Sequence, residues 1–241
     1  MIRAAVLAVL LAGAASQSVA ACRQALALGL DVSGSVDARE YRQQLEGLAE
    51  ALNTAEVRGK LLEMPAAPVR LLIYEWSGPA DQMLLLPWTE VRDTATLDQI
   101  IETLRQTRRR AATPGTALGV AMSQGRGFLD QQPDCWKRTL DISGDGKSNL
   151  GPRPRDIKHA IRASGITING LAIGADAPQS GDLRQSEISE LSAYYKAEVI
   201  LGPDAFVQTA LGFDSYSDAM KRKLLRELDG LILSYLQTPR P

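Results

Sequence analysis

The sequence predicts an α/β fold: a doubly wound, mostly parallel sheet with one antiparallel edge strand. Three observations carry this. Apolar runs of strand length alternate with amphipathic helical stretches along the chain. One run, Ala25 to Leu30, is unbroken, as in a central parallel strand covered on both faces. Val69 to Trp76 and Met83 to Trp88 are joined through Ser77-Gly78-Pro79, which marks an antiparallel edge hairpin.

The remaining elements follow in order. Asp37-Ala38-Arg39-Glu40 has the form of a capping box, and Tyr41, Leu45, Leu48 and Leu52 mark one face of a long helix. Pro65 and Pro68 punctuate its exit. Leu97, Ile100, Ile101 and Leu104 give a second amphipathic helix. Residues 111–115 form a loop, and Thr116-Ala117-Leu118-Gly119 opens a third helix that runs to about Leu129. Arg138 to Ser143 is a strand ending in Gly144-Asp145-Gly146. A helix over 156–163 stops at Gly165, a residue suited to a left-handed cap. Ile166 to Ile173 is a further strand, Leu183 to Tyr195 a helix, and Tyr216 to Leu236 the last helix. A short strand is expected within 198–207, broken by Gly202-Pro203. No internal repeat or low-complexity linker interrupts this order.

Size and charge narrow the function classes. The chain has 241 residues, 45% hydrophobic and 23% charged, enough for one well-buried domain. Lys plus Arg is 27 against 28 for Asp plus Glu, which argues against nucleic acid and against an anionic membrane surface as partners. Arg108-Arg109-Arg110 is the only basic run and reads most simply as a solvated cluster compensating the dipole of the preceding helix.

The N-terminus reads as a signal peptide over residues 1–20. Arg3 supplies the positive start, Ala4 to Ala15 the apolar stretch and Ser18-Val19-Ala20 a small-residue cleavage site. The apolar stretch is too short to span a membrane, and no other segment comes closer. The expected organisation is therefore a leader at 1–20, a single domain at 22–237 and a frayed tail at 238–241, in a periplasmic or secreted protein. In such a compartment Cys22 and Cys135 are expected to bridge. Cys22 precedes Asp31, and Cys135 precedes Asp145, by almost the same interval. If those aspartates end neighbouring parallel strands, the cysteines meet at the far end of the sheet. The rival reading is a lipid anchor on Cys22, for which Val19-Ala20-Ala21-Cys22 is a passable box.

The chemistry concentrates at strand ends, where doubly wound sheets bind ligands. Asp31-Val32-Ser33-Gly34-Ser35 follows the central strand and can turn a carboxylate and two hydroxyls toward one point. Hard divalent cations take oxygen ligands of this kind, although the same residues also build ordinary turns. Gly115-Thr116-Ala117-Leu118-Gly119 and Ile142-Ser143-Gly144-Asp145-Gly146 fall at the same edge. In this order and on these elements, the three stretches resemble the metal-ion-dependent adhesion site of von Willebrand factor A-type domains. Tyr74-Glu75-Trp76-Ser77-Gly78, Ile168-Asn169-Gly170-Leu171, Tyr194-Tyr195 and Gly202-Pro203 with Ala205-Phe206-Val207 are similar to a bacterial exported A-domain family of unknown function.

The resemblance implies a role for each residue. Ser33 and Ser35 would give hydroxyl ligands, Asp31 would bind directly or through water, Thr116 would be the switchable ligand, and Asp145 would hold a coordinated water. Mg²⁺ is the implied cation, with Mn²⁺ or Ca²⁺ as alternatives. The vacant position would accept a carboxylate from a partner protein, making this a binding module of the envelope and not an enzyme. The alternatives are an envelope assembly or scaffold protein with a structural or vacant metal site, and a metal-dependent hydrolase.

Other residues compete with this set or stand beside it. Thr113 competes for the role of Thr116, because Thr113-Pro114 also starts a loop-to-helix transition. Asp141 shares a strand face with Ser143 and Asp145, and is expected to be a paired structural carboxylate. Trp76 reads as packing and His159 as a surface residue. No Gly-x-Ser-x-Gly elbow, phosphate loop or zinc-type cluster is present in the sequence.

Overall fold

The structure is a computed structural model, and it describes residues 22–174 and 181–236. The expected leader at 1–20 and tail at 238–241 lie outside the described residues. Strands β1 (Cys22–Asp31), β2 (Val69–Trp76), β3 (Gln82–Val91), β4 (Cys135–Gly144), β5 (Thr167–Ile173) and β6 (Val207–Ala210) form one sheet. Helices α1 (Ala38–Asn53), α2 (Ala55–Leu62), α3 (Thr94–Gln106), α4 (Leu118–Leu129), α5 (Pro154–Ile161), α6 (Gly181–Tyr194) and α7 (Tyr216–Leu236) connect and cover them.

The sheet order is β3-β2-β1-β4-β5-β6, with every pairing parallel except β2 with β3. The fold class is thus the one expected, with the antiparallel strand at the edge. β1 is central and buried along its whole length. Alternate residues serve opposite faces, as the two-residue period of a strand requires. Leu26, Leu28 and Leu30 point to the layer containing Leu45, Leu48, Leu97, Ile101 and Leu224. Ala25 and Ala27 point to the layer containing Leu118, Met122, Leu191 and Tyr195. Two apolar layers around one sheet are the physical content of "doubly wound".

Local chemistry sets the helix ends. Asp37 accepts hydrogen bonds from the backbone of Arg39 and Glu40, and the Glu40 carboxylate accepts one from the Asp37 N–H, so both halves of the capping box close. α5 and the short turn after it stop at Gly165, whose φ of 71° is the left-handed cap conformation.

Three boundaries differ from expectation. The first long helix breaks at Thr54, whose extended backbone and hydroxyl bond to the Ala51 carbonyl separate α1 from α2. The strand expected within 198–207 forms later, at Val207–Ala210; Gly202 and Asp204 take positive φ and turn the chain there first. α4 begins at Leu118, not Thr116, because the Thr116 carbonyl is already taken by the amides of Asn149 and Leu150.

The two cysteines are bonded to each other, with Cα atoms 4.4 Å apart. Cys22 lies opposite Cys135 at one end of the β1–β4 ladder, and Leu30 lies opposite Ser143 at the other. The bridge therefore ties the two strands at the end away from Asp31 and Asp145.

Candidate functional site

Asp31 ends β1 fully buried, and its surroundings hold the backbone firmly. The Asp31 carbonyl accepts from Gln44 Nε2 at 2.9 Å, and the Val32 amide donates to the Trp76 carbonyl at 2.9 Å. The carboxylate then folds back on its own loop, with Oδ1 accepting from the Ser33 amide at 2.8 Å. This Asx-type turn sends Ser33 and Ser35 out on the same side. Gly34 lies against Pro114, donating to its carbonyl at 2.9 Å, so the loop before α4 packs directly on the loop after β1.

That contact brings in Thr116. Its hydroxyl is 3.4 Å from Ser33 Oγ, while its amide donates to Asn149 Oδ1 at 2.8 Å. Ser148 Oγ donates to the Thr116 carbonyl at 3.2 Å, so the segment after β4 fixes the threonine from behind. Thr113 instead packs near Gly78 and donates its amide to Asp81 Oδ2. On geometry Thr116, not Thr113, shares the edge with Asp31.

Asp145 closes the cluster. Ser35 Oγ donates to Asp145 Oδ1 at 2.7 Å, and the Ser33 and Ser35 hydroxyls are 3.3 Å apart. Asp31, Ser33, Ser35, Thr116 and Asp145 thus form one connected group of side-chain oxygens drawn from three loops.

The electrostatics of the group are unbalanced. Asp31 Oδ2 is buried with no hydrogen-bond partner. Burial, and next the Asp145 carboxylate, push the Asp31 carboxyl up to about 8. Burial also raises Asp145, against the hydrogen bond from Ser35. Two carboxyl groups and three hydroxyls with no cationic side chain among them leave the ionised form of Asp31 unsupported in a protected place. Glycine keeps the place open: a Cβ on Gly144 would lie 2.6 Å from the Tyr195 hydroxyl and 2.9 Å from Asp31 Oδ2. Tyr195 sits in a widened turn after α6, Tyr195–Val199, and its ring covers the sheet at Gly170, where a Cβ would meet it at 2.6 Å. Tyr195 Oη is likewise buried without a partner.

The donor chemistry fits a hard divalent cation. The oxygens are carboxylate and hydroxyl, and no group of three His, Cys, Asp or Glu side chains suited to a metal occurs among the described residues. A cavity of about 240 Å³ opens beside Asp145, lined by Ile173, Leu191, Glu187 and Lys147. Another, of about 110 Å³, lies on the other flank between Val32, Tyr41, Glu75 and Met83.

Several candidates stand apart. Asp141 is paired as expected: Lys223 Nζ lies 2.7 Å from its Oδ2. Trp76 is fully buried packing and His159 is exposed. Glu75 is buried and accepts from the Tyr41 hydroxyl at 2.5 Å. Sequence reasoning assigned no role to Gln44, Ser148, Asn149 or Tyr195. The Tyr194-Tyr195 pair was a visible signal, but nothing in the residues tells that one ring faces inward and the other bonds the Ser148 amide.

The fold is similar to that of several solved structures, a von Willebrand factor type A protein among them. The proximal thread matrix protein 1 of the mussel byssus, in a form with a zinc-occupied metal-ion-dependent adhesion site motif, is 20% identical with a TM-score of 0.56; the match covers 87% of this chain and 48% of that one. The von Willebrand factor type A protein from Catenulispora acidiphila is 14% identical (TM-score 0.55; 86% and 43% covered). An aerotolerance-related membrane protein from Bacteroides fragilis NCTC 9343 is 14% identical (TM-score 0.55; 86% and 98% covered). The chain spans about half the length of the mussel protein. No curated protein sequence matches it. The chain belongs to the protein family of unknown function DUF1194, which matches residues 21–232.

Proposed function

We propose that this chain is a divalent-cation-dependent protein-binding module of the bacterial envelope, which captures an acidic group of a partner. One observation carries the reading: a buried, unpartnered carboxylate oxygen of Asp31 beside Asp145, ringed by the hydroxyls of Ser33, Ser35 and Thr116. Buried negative charge without a cation is unfavourable, and a bound cation is the simplest group that satisfies it.

In this reading Asp31, Ser33, Ser35, Thr116 and Asp145 hold Mg²⁺, with Mn²⁺ or Ca²⁺ as substitutes. When bound, the cation supplies an electrophilic position that a carboxylate can occupy. The chain's own residues do the rest. Gln44 and the Ser33 amide fix Asp31, Asn149 and Ser148 fix Thr116, and the hydrogen bond from Ser35 aims Asp145. Envelope residence is supported by the leader-like N-terminus and by the disulfide, which belongs to oxidising compartments.

Titration calorimetry with Mg²⁺ and Mn²⁺ tests the site. The wild type is expected to bind, and Asp31→Ala to lose binding while keeping its circular dichroism spectrum. Undiminished binding by the variant would overturn the assignment. Capture of envelope proteins that survives chelation would favour the scaffold alternative instead.

A further inference from the structure

We infer that Arg108, Arg109 and Arg110 form a basic rim on this site, and that the partner segment is acidic, offering further carboxylates beside the one that reaches the cation. This rests on the proposed reading for the first carboxylate only. The expectation from sequence was that the run compensates the dipole of α3. In the structure another residue bonds the last carbonyls of that helix. α3 ends at Gln106, and the carbonyls of Leu104, Arg105 and Thr107 accept from the Arg42 guanidinium on α1 at 3.0, 3.1 and 3.0 Å.

The arginine run continues from there toward the candidate site. Arg109 Nη2 lies 3.5 Å from the carbonyls of both Val32 and Ser33, with its guanidinium carbon 5.9 Å from the Tyr41 ring centre. The same loop reaches Pro114, which holds Gly34. Arg109 therefore braces the loop that carries Ser33 and Ser35, and Arg108 and Arg110 are its neighbours in sequence. Arg108 and Arg110 are exposed.

None of the three arginines has a carboxylate at ion-pair distance among the described residues, and Arg110 Nη1 lies 3.6 Å from Met83 Sδ. Several other arginines of this evenly charged chain are ion-paired, as in Arg58 with Asp98, Arg70 with Glu90 and Asp134, and Arg105 with Glu46. The nearby acids make their hydrogen bonds elsewhere: Asp37 caps α1, Asp81 accepts from the Thr113 amide, and Glu75 is buried against Tyr41, although the charges of Arg110 and Arg109 also act on Glu75 and that of Arg109 on Asp37. Guanidinium groups with no ion-pair partner, on a loop that touches the candidate cation site, match a segment with several carboxylates. Each exposed pair contributes little, but several act together in affinity and association rate, and all are screened by salt.

The test compares two probe peptides with the full chain by fluorescence anisotropy in Mg²⁺. One alternates Asp and Ser; the other keeps a single Asp and carries Asn at the remaining acidic positions. The wild type is expected to prefer the first by about tenfold, a preference that shrinks as salt is raised. Arg108→Ala with Arg110→Ala is expected to lose the preference, and Arg108→Lys with Arg110→Lys to retain most of it. A preference that survives in the double alanine variant overturns the rim, as does a wild type with no preference or no binding of the acidic peptide. The proposed metal reading fails separately. A rim-dependent preference unaffected by chelator would sink the cation and leave the rim standing, whereas Mg²⁺-dependent binding without preference would do the reverse.

Discussion

Ser35 Oγ donates to Asp145 Oδ1 at 2.7 Å, joining the loop after β1 to the turn after β4 across the top of the sheet. Ser35 is exposed and Asp145 half-buried, so the bond is made at the mouth of the oxygen cluster and not in the core. Its value to folding is small, whereas its value to the geometry of the cluster is direct. Ser35→Ala is therefore expected to weaken Mg²⁺ or Mn²⁺ binding about ten- to a hundredfold, while changing stability by no more than about 0.5 kcal/mol. Calorimetric titration beside a denaturant melt separates the two effects. A large stability loss with unchanged cation affinity would reverse the assignment.

Gly144 gives a steric test of the same place. An alanine methyl there meets the Tyr195 hydroxyl at 2.6 Å and Asp31 Oδ2 at 2.9 Å, and neither group can retreat easily from a buried position. Gly144→Ala is expected to cost about 1–3 kcal/mol through overpacking and to displace the Asp31 carboxylate. Cation titration should then show a loss close to that of Asp31→Ala. A variant that binds Mg²⁺ normally would show that the space above Asp31 is not used.

The disulfide is expected to matter for stability and little for binding. Cys22–Cys135 closes a loop with a sequence separation of 113, at the end of the β1–β4 pair opposite the oxygen cluster. Cys22→Ser with Cys135→Ser should lower unfolding stability by about 2–5 kcal/mol. Cation affinity measured well below the melting temperature should change by less than about threefold, because β1 and β4 remain paired along their length. Intact-mass measurement of the purified protein checks the bond itself: two free thiols, or lipid on Cys22, would reject it.

Much of this was readable beforehand because each feature has a local cause. The apolar run to Leu30, the Asp37–Glu40 box and the hairpin turn each announce themselves within a few residues. The pairing of the cysteines follows from strand register. The residues that sequence reasoning missed act over long separations. Gln44 reaches the Asp31 carbonyl from α1, Asn149 reaches the Thr116 amide from beyond β4, and Tyr195 reaches Gly144 from beyond α6. A glutamine on a helix and a tyrosine after one carry no sign of their partners until the fold is assembled. The arginine run is exposed at Arg108 and Arg110, as a solvated cluster should be, but nothing in the residues tells that Arg42, distant in sequence, also bonds the last carbonyls of α3.

Asp141 supplies a pH prediction at a group that lies outside the oxygen cluster. Lys223 Nζ is 2.7 Å from Asp141 Oδ2 and 2.7 Å from Glu227 Oε1, so one buried ammonium is shared by two buried carboxylates. Asn169 Nδ2 also donates to Glu227 Oε1. This leaves Asp141 the less supported acid. Burial pushes its carboxyl up to about 7, with Lys223 pulling down and Glu227 pushing further up. In the unfolded chain the group ionises near 3.8. Between these values the folded protein holds a proton that the unfolded chain has released, so stability falls as pH rises through the window and levels off above it. Asp31 and Glu75, also raised by burial, act with the same sign. Thermal melts in chelator should therefore show a melting temperature that declines from about pH 5 to about pH 8. Asp141→Asn is expected to flatten that decline, leaving Lys223 paired to Glu227 alone. An unchanged slope in the variant would show that Asp141 stays ionised throughout, held by Lys223.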